Sequence, residues 1–403
     1  MTRVPAIAAL LAGLVLAVMP TDAQTDPLLE RARNLLRETP IIDGHNDYPW
    51  AVREKTAGDL SKLDIRQPQP TLMTDIARLK SGGVGGQFWS VYVEATRPDQ
   101  NPAEAVTQTL EQIDIVHRMM AMYADSMALA LGADDVERIM KQGKVASLIG
   151  MEGGHSINSS LAVLRDMYRL GARYMTITHS LNVPWADSAT DTPAHDGLTP
   201  FGEEVIREMN RLGMLVDLSH VSPATMDDAL RVTSAPVIFS HSSARAITDV
   251  PRNVPDEILK KVPANGGVVM VTFVPGFVST EVADYNKRET AERNRLTAAG
   301  RAADALDKDL AAWRQANPPP RATLRQVADH IDHIKKVAGI DHIGLGGDFD
   351  GITSVVQGLE DVSTYPALLA ELLRRGYTDD DIRKIANRNI LRVMRGAEAK
   401  KAR

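Results

Sequence analysis

The sequence contains no cysteine. It can form no disulfide, so an exported form would rest on its hydrophobic core alone. Charge of one sign is not in excess either: 46 Lys and Arg against 52 Asp and Glu leave a formal net charge of -6. That excludes a nucleic-acid surface and points to a small partner read by local contacts. Beyond the N-terminal region no apolar run reaches the roughly 18 residues of a membrane span. The C-terminal stretch, 397–403, is polar and basic and lacks the hydrophobic tail of a lipid-anchor signal. No Gly-x-Gly-x-x-Gly follows the first expected strand, which removes the usual dinucleotide-binding form of a doubly wound sheet.

What is present is ordinary globular composition, 403 residues of which 44% are hydrophobic and 24% charged. That length allows two domains, but single α/β barrels also reach it. Residues 1–23 read as a secretory signal peptide, with Arg3 as the positive start, an apolar run over 6–18, and Thr21-Asp22-Ala23 as a small-residue cleavage site. The expectation is a periplasmic or secreted product, 24–403, with no stable membrane anchor; an uncleaved leader serving as anchor is the competing reading. Lipoprotein anchoring is excluded, because no Cys follows the apolar run.

Short apolar runs recur along the chain, at 41–44, 85–93, 145–151, 173–178, 214–218, 236–239, 267–273 and 340–344. Amphipathic stretches separate most of them, for instance 203–212, 224–231 and 256–262. Strands apolar on both faces that alternate with helices indicate a parallel sheet covered by helices. Eight of them predict an α/β fold of the closed (β/α)8 type, a TIM-like barrel, with an open doubly wound sheet as the rival. The spacing also predicts helices over 27–37 and 103–131 and a loop over 59–70. A helical insertion is expected over 278–320, between the seventh and eighth strands, closed by Pro318-Pro319-Pro320. The helix after it has a capping box in Thr323 and Gln326. His330 and His333 lie one turn apart on it and read as surface or satisfied histidines rather than ligands.

The first run turns polar at Asp43-Gly44-His45-Asn46-Asp47. In an extended strand, two-residue spacing puts His45 and Asp47 on one face, which makes half of a divalent-metal site. Other expected strands end alike: 145–151 in Glu152, 173–178 in His179, 214–218 in Ser219-His220, 236–239 in Ser240-His241, and the last in Gly347-Asp348-Phe349-Asp350. In a barrel those ends open on one face, the catalytic one. Three histidines (His45, His220, His241) and two carboxylates (Asp47, Glu152) suit zinc. Five ligands exceed the needs of one catalytic zinc with an open position, and fit two ions with one carboxylate bridging and a hydroxide between them. A further carboxylate, Asp348 or Asp350, would be the general base. His155 and His195 read as loop residues, and His117 and His342 receive no role.

These residues, with Pro49-Trp50, the run 178–187, Asp217-Leu218-Ser219-His220, Phe239-Ser240-His241-Ser242 and Arg252-Asn253-Val254-Pro255, resemble the membrane dipeptidase family, also called renal dipeptidase or peptidase family M19, of the metal-dependent amidohydrolases. The resemblance covers nearly all of the mature chain. It implies a metallo-dipeptidase with two divalent ions, most often zinc, in which His45 and Asp47 hold one, Glu152 bridges, and His220 and His241 hold the other. It further implies that His179 touches the substrate near the scissile carbonyl, that Arg252 binds its carboxylate and that Asp348, rather than Asp350, handles the proton. A D-residue would be tolerated at the C-terminal position. The absence of cysteine departs from the vertebrate members, so their disulfide-linked dimer is not implied; a homodimer of another kind stays open. Two other functions compete: a binuclear amidohydrolase acting on a lactone, ester or β-lactam, which a carboxylate-binding Arg252 disfavours for neutral esters, and a non-catalytic peptide-binding barrel, which would lack a ligand or the base.

Overall fold

Strands that are apolar on both faces need cover on both, and curling the sheet into a barrel provides it. The computed structural model describes residues 26–95 and 102–402; the leader read at 1–23 lies outside the described residues. Nine strands are present among them: β1 Ile41–Asn46, β2 Val84–Tyr92, β3 Met127–Leu129, β4 Val145–Glu152, β5 Ala172–Thr176, β6 Leu215–Asp217, β7 Ile238–Phe239, β8 Val268–Val271 and β9 Ile343–Leu345. All pair in parallel, in the order β2-β1-β9-β8-β7-β6-β5-β4. The ring closes because β4 pairs back onto β2, from Gly86 with Ala146 to Tyr92 with Glu152. The result is a closed barrel of eight parallel strands surrounded by helices, a TIM-barrel fold. β3 is not a stave; it flanks the start of β4, below the point where β5 takes over.

Inside the barrel Ile42, Phe88, Leu148, Tyr174, Ile238 and Met270 are fully buried and belong to one apolar cluster. The Phe88 and Tyr174 rings meet at 5.2 Å. Gly150 makes room for Tyr174, since a Cβ there would lie 2.0 Å from its ring. Helices start with side-chain caps: Ser160, Thr199, Ser222 and Ser279 each accept a backbone N–H from the first turn. No described helix is long and apolar enough to cross a membrane.

The insertion between β8 and β9, the seventh and eighth barrel strands, consists of helices Thr280–Ala298 and Ala303–Ala316, as expected. They pack through Tyr285 and Trp313, 5.4 Å apart, and Arg314 donates from Nε to Glu289 at 3.0 Å. The capping box of Thr323 and Gln326 is present. Two expectations need correction. The helix read over 103–131 is Pro102–Met122, and the chain then turns through 123–126 to form β3. Helical spacing continued past a turn that its apolar residues could not reveal. Asp47 is also not in the strand: β1 ends at Asn46, and Asp47 is the N-cap of helix Tyr48–Thr56, with Pro49 in its first turn.

His330 is not at the surface but wholly buried. Its Nδ1 accepts from the Ala244 backbone N–H at 3.0 Å, and its Nε2 faces the Val278 carbonyl at 3.3 Å. It thus joins the segment after β7 to the segment before the insertion. Burial pushes His330 down to about 4. As pH falls the unfolded chain takes up this proton near 6.5 and the folded chain only near 4, so stability is expected to fall between those values. His330→Asn should narrow the difference in urea midpoint stability between pH 7 and pH 4.5, by on the order of 2 kcal/mol. An undiminished difference would show that His330 takes no part in the acid response.

Candidate metal centre

Every residue of interest sits at or just beyond a strand end on one rim. His45 is the last residue but one of β1 and Glu152 closes β4; His179, His220 and His241 follow β5, β6 and β7, and Asp348 follows β9. Backbone conformation is unusual here. His220 (φ 68°), Asp348 (φ 61°) and Asp350 (φ 66°) are left-handed without being glycine, a strained state that persists only where the surroundings enforce it. The enforcement is visible around Asp43, whose Oδ1 accepts from His45 N at 2.8 Å and Gly347 N at 3.3 Å, while Oδ2 accepts from the Tyr365 hydroxyl. Burial pushes the Asp43 carboxyl up to about 6. That link and the Asp348 N to His45 O bond of 3.2 Å hold the two loops together.

Glu152 lies at the centre. Its Oε2 faces His45 Nε2 at 3.3 Å and accepts from Ser90 Oγ at 3.1 Å; its Oε1 faces His220 Nε2 at 3.1 Å and His241 Nε2 at 3.4 Å. His45 Nε2 is also 3.2 Å from Asp47 Oδ2. Ligand-type atoms within 4.8 Å of one another form three overlapping groups: His45, Glu152 and His241; Glu152, His179 and His220; His45, Asp47 and Asp348. So Asp47 reaches the centre from a helix cap as well as it would from a strand. Gly351 leaves space for it, because a Cβ there would lie 2.3 Å from Asp47 Oδ2 and 2.6 Å from Asp348 Oδ1.

These donors fit a divalent cation. His45 Nε2 is buried and has no hydrogen-bond partner among the described residues, and His220 Nε2 and His241 Nε2 point at each other from 2.9 Å. Burial disfavours a proton on His45, yet Tyr174, Glu152 and Asp47 overcome it and hold the imidazole well above its usual range. Burial also raises Glu152, but the His45 charge, with His220 and His241 set against the other oxygen, outweighs it and keeps the carboxylate well below the ordinary range. The same field would attract a metal ion in place of that proton. Burial drives His220 and His241 well down, leaving them neutral as ligands must be.

Asp348 and Asp350, two residues apart, part company. Asp348 lines the central cavity, and burial, with Asp47 and Glu152 near, pushes it well above the ordinary carboxylate range against the pull of His45 and Arg252. Asp350 instead accepts from the Met73 N–H at 2.6 Å and ties down a neighbouring loop. The cavity, about 380 Å³, is also lined by Trp50, Tyr92, His179, Arg252, Phe277 and Ile352. His179 stacks between Tyr92 and His220 at 4.9 and 4.3 Å.

Arg252 is 6% exposed and makes no ion pair with Asp249 or Asp256 among the described residues. Its Nη2 donates to the His241 carbonyl at 3.4 Å, its Nη1 has no partner among the described residues, and the group lies 5.3 Å from the Phe277 ring. Burial brings it down to about 10 while Asp348, Glu152 and Asp217 pull it up, so it stays charged at neutral pH. Of the other histidines, His155 contacts the Val93 carbonyl, His195 that of Val183, His117 that of Leu170, His342 that of Gly267, and His333 the Asp256 carboxylate. Two larger cavities, about 810 and 720 Å³, lie at the opposite strand ends around Pro40 and Met140. Among their cations, Arg37, Lys80 and Lys141 stand in last turns of helices, where they complement the dipole.

Sequence reasoning gave no role to Trp50, Tyr92 and Phe277 as cavity walls, nor to Asp43, Tyr174, Asp217 and Ser240 beneath the ligands. A signal did exist for two of these. Asp43 and Asp217 each stand inside an apolar strand two or three residues before a rim histidine.

A closed parallel barrel that gathers imidazoles and carboxylates at its C-terminal rim defines a metal-dependent hydrolase. Residues 29–403 match the family model described as membrane dipeptidase (peptidase family M19). The fold is shared with the "probable dipeptidase PvdM" of Pseudomonas aeruginosa, at 24% identity, TM-score 0.81, and 93% of this chain against 99% of that one. It is shared with dipeptidase AC, a metallopeptidase of family M19, at 25% identity, TM-score 0.73, with 89% and 98% covered. A metallopeptidase of Rhodobacter sphaeroides, liganded with a phosphinate mimic of the dipeptide L-Ala-D-Ala, is similar at 24% identity, TM-score 0.72, with 89% and 99% covered. The chain belongs to peptidase family M19: it is a metallo-dipeptidase, a hydrolase acting on peptide bonds.

Proposed function

We propose that the protein is an exported zinc dipeptidase that hydrolyses the single peptide bond of free dipeptides and tolerates a D-residue at the C-terminal position. The observation that carries this reading is the division of Glu152, one oxygen toward His45 and the other toward His220 and His241, across a cavity from a buried and unpaired Arg252. In this reading His45 and Asp47 would hold one ion, His220 and His241 the other, and Glu152 would serve both. When bound, such a pair supplies a hydroxide nucleophile at neutral pH and a Lewis acid for the scissile carbonyl. Arg252 grips the terminal carboxylate, and His179, which lines the same cavity, faces the carbonyl oxygen. Asp348 takes the proton released on attack and returns it to the leaving amine, a task suited to a carboxyl whose burial raises its proton affinity. D-residue tolerance is supported by the L-Ala-D-Ala mimic bound to the Rhodobacter protein. Export to the periplasm or medium rests on the leader at 1–23.

A dipeptide library assayed alongside metal analysis of the same preparation tests the reading. The expected result is two zinc ions per chain, activity lost on chelation, and cleavage of L-Xaa-D-Xaa as well as L-Xaa-L-Xaa dipeptides; full activity at one ion per chain would exclude the bridged arrangement. Asp348→Asn should keep metal content near two while kcat falls by about 10²- to 10⁴-fold, the range for removing a positioned proton carrier. Parallel loss of metal and activity would make Asp348 a ligand instead.

A further inference from the structure

Hydrogen bonds beneath His241 can run in only one direction. Asp217, at the end of β6, is wholly buried, and its Oδ1 accepts backbone N–H groups from Ser219 at 3.0 Å and Ser240 at 2.8 Å. Its Oδ2 lies 2.5 Å from Thr176 Oγ1 and 2.6 Å from Ser240 Oγ. Two oxygens so close must share a hydrogen, and a carboxylate already accepting on every side takes it from the hydroxyl. Ser240 has one hydrogen, and it is directed to Asp217. Its oxygen can then only accept from His241 Nδ1, 2.8 Å away. The imidazole therefore carries its proton on Nδ1, and its Nε2 lone pair faces Glu152 Oε1 at 3.4 Å and His220 Nε2 at 2.9 Å.

We propose that Asp217 and Ser240 are positioning residues that lock His241 as the Nδ1–H tautomer and aim its Nε2 lone pair at the metal centre. The inference rests on the reading of His241 as a ligand. The device is repeated at His45, where Tyr174 donates its hydroxyl to the Gly44 carbonyl at 3.2 Å and so accepts from His45 Nδ1 at 2.9 Å. Among the described residues it is missing at His220, whose buried Nδ1 has no partner there. A histidine without such a lock must choose its tautomer when the ion arrives, and partners of this kind govern metal affinity as well as orientation.

The test uses the full chain, stripped of metal and titrated with zinc in competition with a chromophoric chelator. Ser240→Ala frees the imidazole to adopt either tautomer and should weaken one of two zinc ions about 10-fold. Asp217→Asn should be worse, about 100-fold, because an amide N–H can donate to Ser240 and turn its hydroxyl toward Nδ1, imposing the opposite tautomer. Nitrogen-15 spectra of the histidine-labelled, metal-free protein give a readout free of both zinc and activity. One imidazole, assigned by its loss in His241→Ala, should appear as Nδ1–H in the native chain and as a mixture or Nε2–H in the variants. Unchanged zinc affinity and an unchanged imidazole in Ser240→Ala would overturn the proposal, even if Asp217→Asn does not fold. His241→Ala separates the two levels of the argument. If it keeps both ions at native affinity, His241 is not a ligand and the metal centre as drawn is wrong; if it loses one while Ser240→Ala loses none, only the lock is wrong.

Discussion

Glu152→Gln is expected to cost more than the loss of any single histidine of the centre, with metal content falling well below two ions per chain and kcat/KM by at least about 10³-fold, or roughly 4 kcal/mol in the barrier. The substitution keeps the shape of the side chain and removes one charge. Position makes that change severe: Oε1 faces His220 and His241 at 3.1 and 3.4 Å, and Oε2 faces His45 at 3.3 Å. Whichever side the amide nitrogen takes, its N–H groups can donate to an imidazole lone pair that would otherwise face the ion, and neither half of the site keeps a full negative partner. A histidine variant, by contrast, leaves Glu152 and the other half intact. Ser90 Oγ, which donates to Oε2 at 3.1 Å, accommodates the amide with the oxygen on its side, so that the amide nitrogen is directed at His220 and His241. Metal content by mass spectrometry and dipeptide turnover on the same sample check the expectation, and the melting temperature of chelated protein shows whether the fold survived. A Glu152→Gln enzyme that holds two ions and turns over near the native rate would remove Glu152 from its bridging role.

Why the rim residues could be read in the sequence and their supports could not follows from where each class of information resides. A strand apolar on both faces announces itself, so β4, from Val145 to Glu152, and the polar residue that ends it are visible in one dimension. Chain order then needs only the barrel rule, that all strand ends share a face, to bring His45, Glu152, His220 and His241 together. Asp348 and Asp350 show the limit. Their spacing is the same as that of any two alternating positions and both are left-handed, so spacing cannot choose between them; the resemblance points to Asp348, and the hydrogen bond from Met73, 277 residues away, is what turns Asp350 from the cavity. Likewise the lock on His241 joins residues from β5, β6 and the end of β7, and no periodicity encodes a contact between Thr176 and Asp217. β3 escaped for a local reason: three residues, Met127–Leu129, are too few to interrupt an apolar pattern that helical spacing fits equally well.

Arg252→Lys is expected to raise KM for free dipeptides by about 10- to 100-fold with kcat changed by no more than about threefold, the pattern of lost uniform binding. A guanidinium can offer two parallel N–H donors to one carboxylate, whereas an ammonium keeps the charge and loses the fork. The structure leaves that fork available: Arg252 is buried, and among the described residues its Nη1 has no partner and its one hydrogen bond is a long one of 3.4 Å to the His241 carbonyl. An unpaired cation in such a place carries a desolvation cost that a substrate carboxylate would offset. Because Arg252 stands on the segment that follows His241, the distance from the metal centre to the grip proposed for it is fixed by the fold. That distance sets how far the scissile bond can stand from a terminal carboxylate, and one residue is the length a dipeptidase requires. Native protein should therefore cleave dipeptide amides and tripeptides poorly, and the slow cleavage of amides should barely respond to Arg252→Lys, since no carboxylate is there to lose. Steady-state kinetics on four substrates, a dipeptide, its amide, a tripeptide and an L-Xaa-D-Xaa dipeptide, decide the matter. If amides or tripeptides are cleaved as readily as the free dipeptide, Arg252 does not measure the substrate and the limit on its length must come from elsewhere in the cavity.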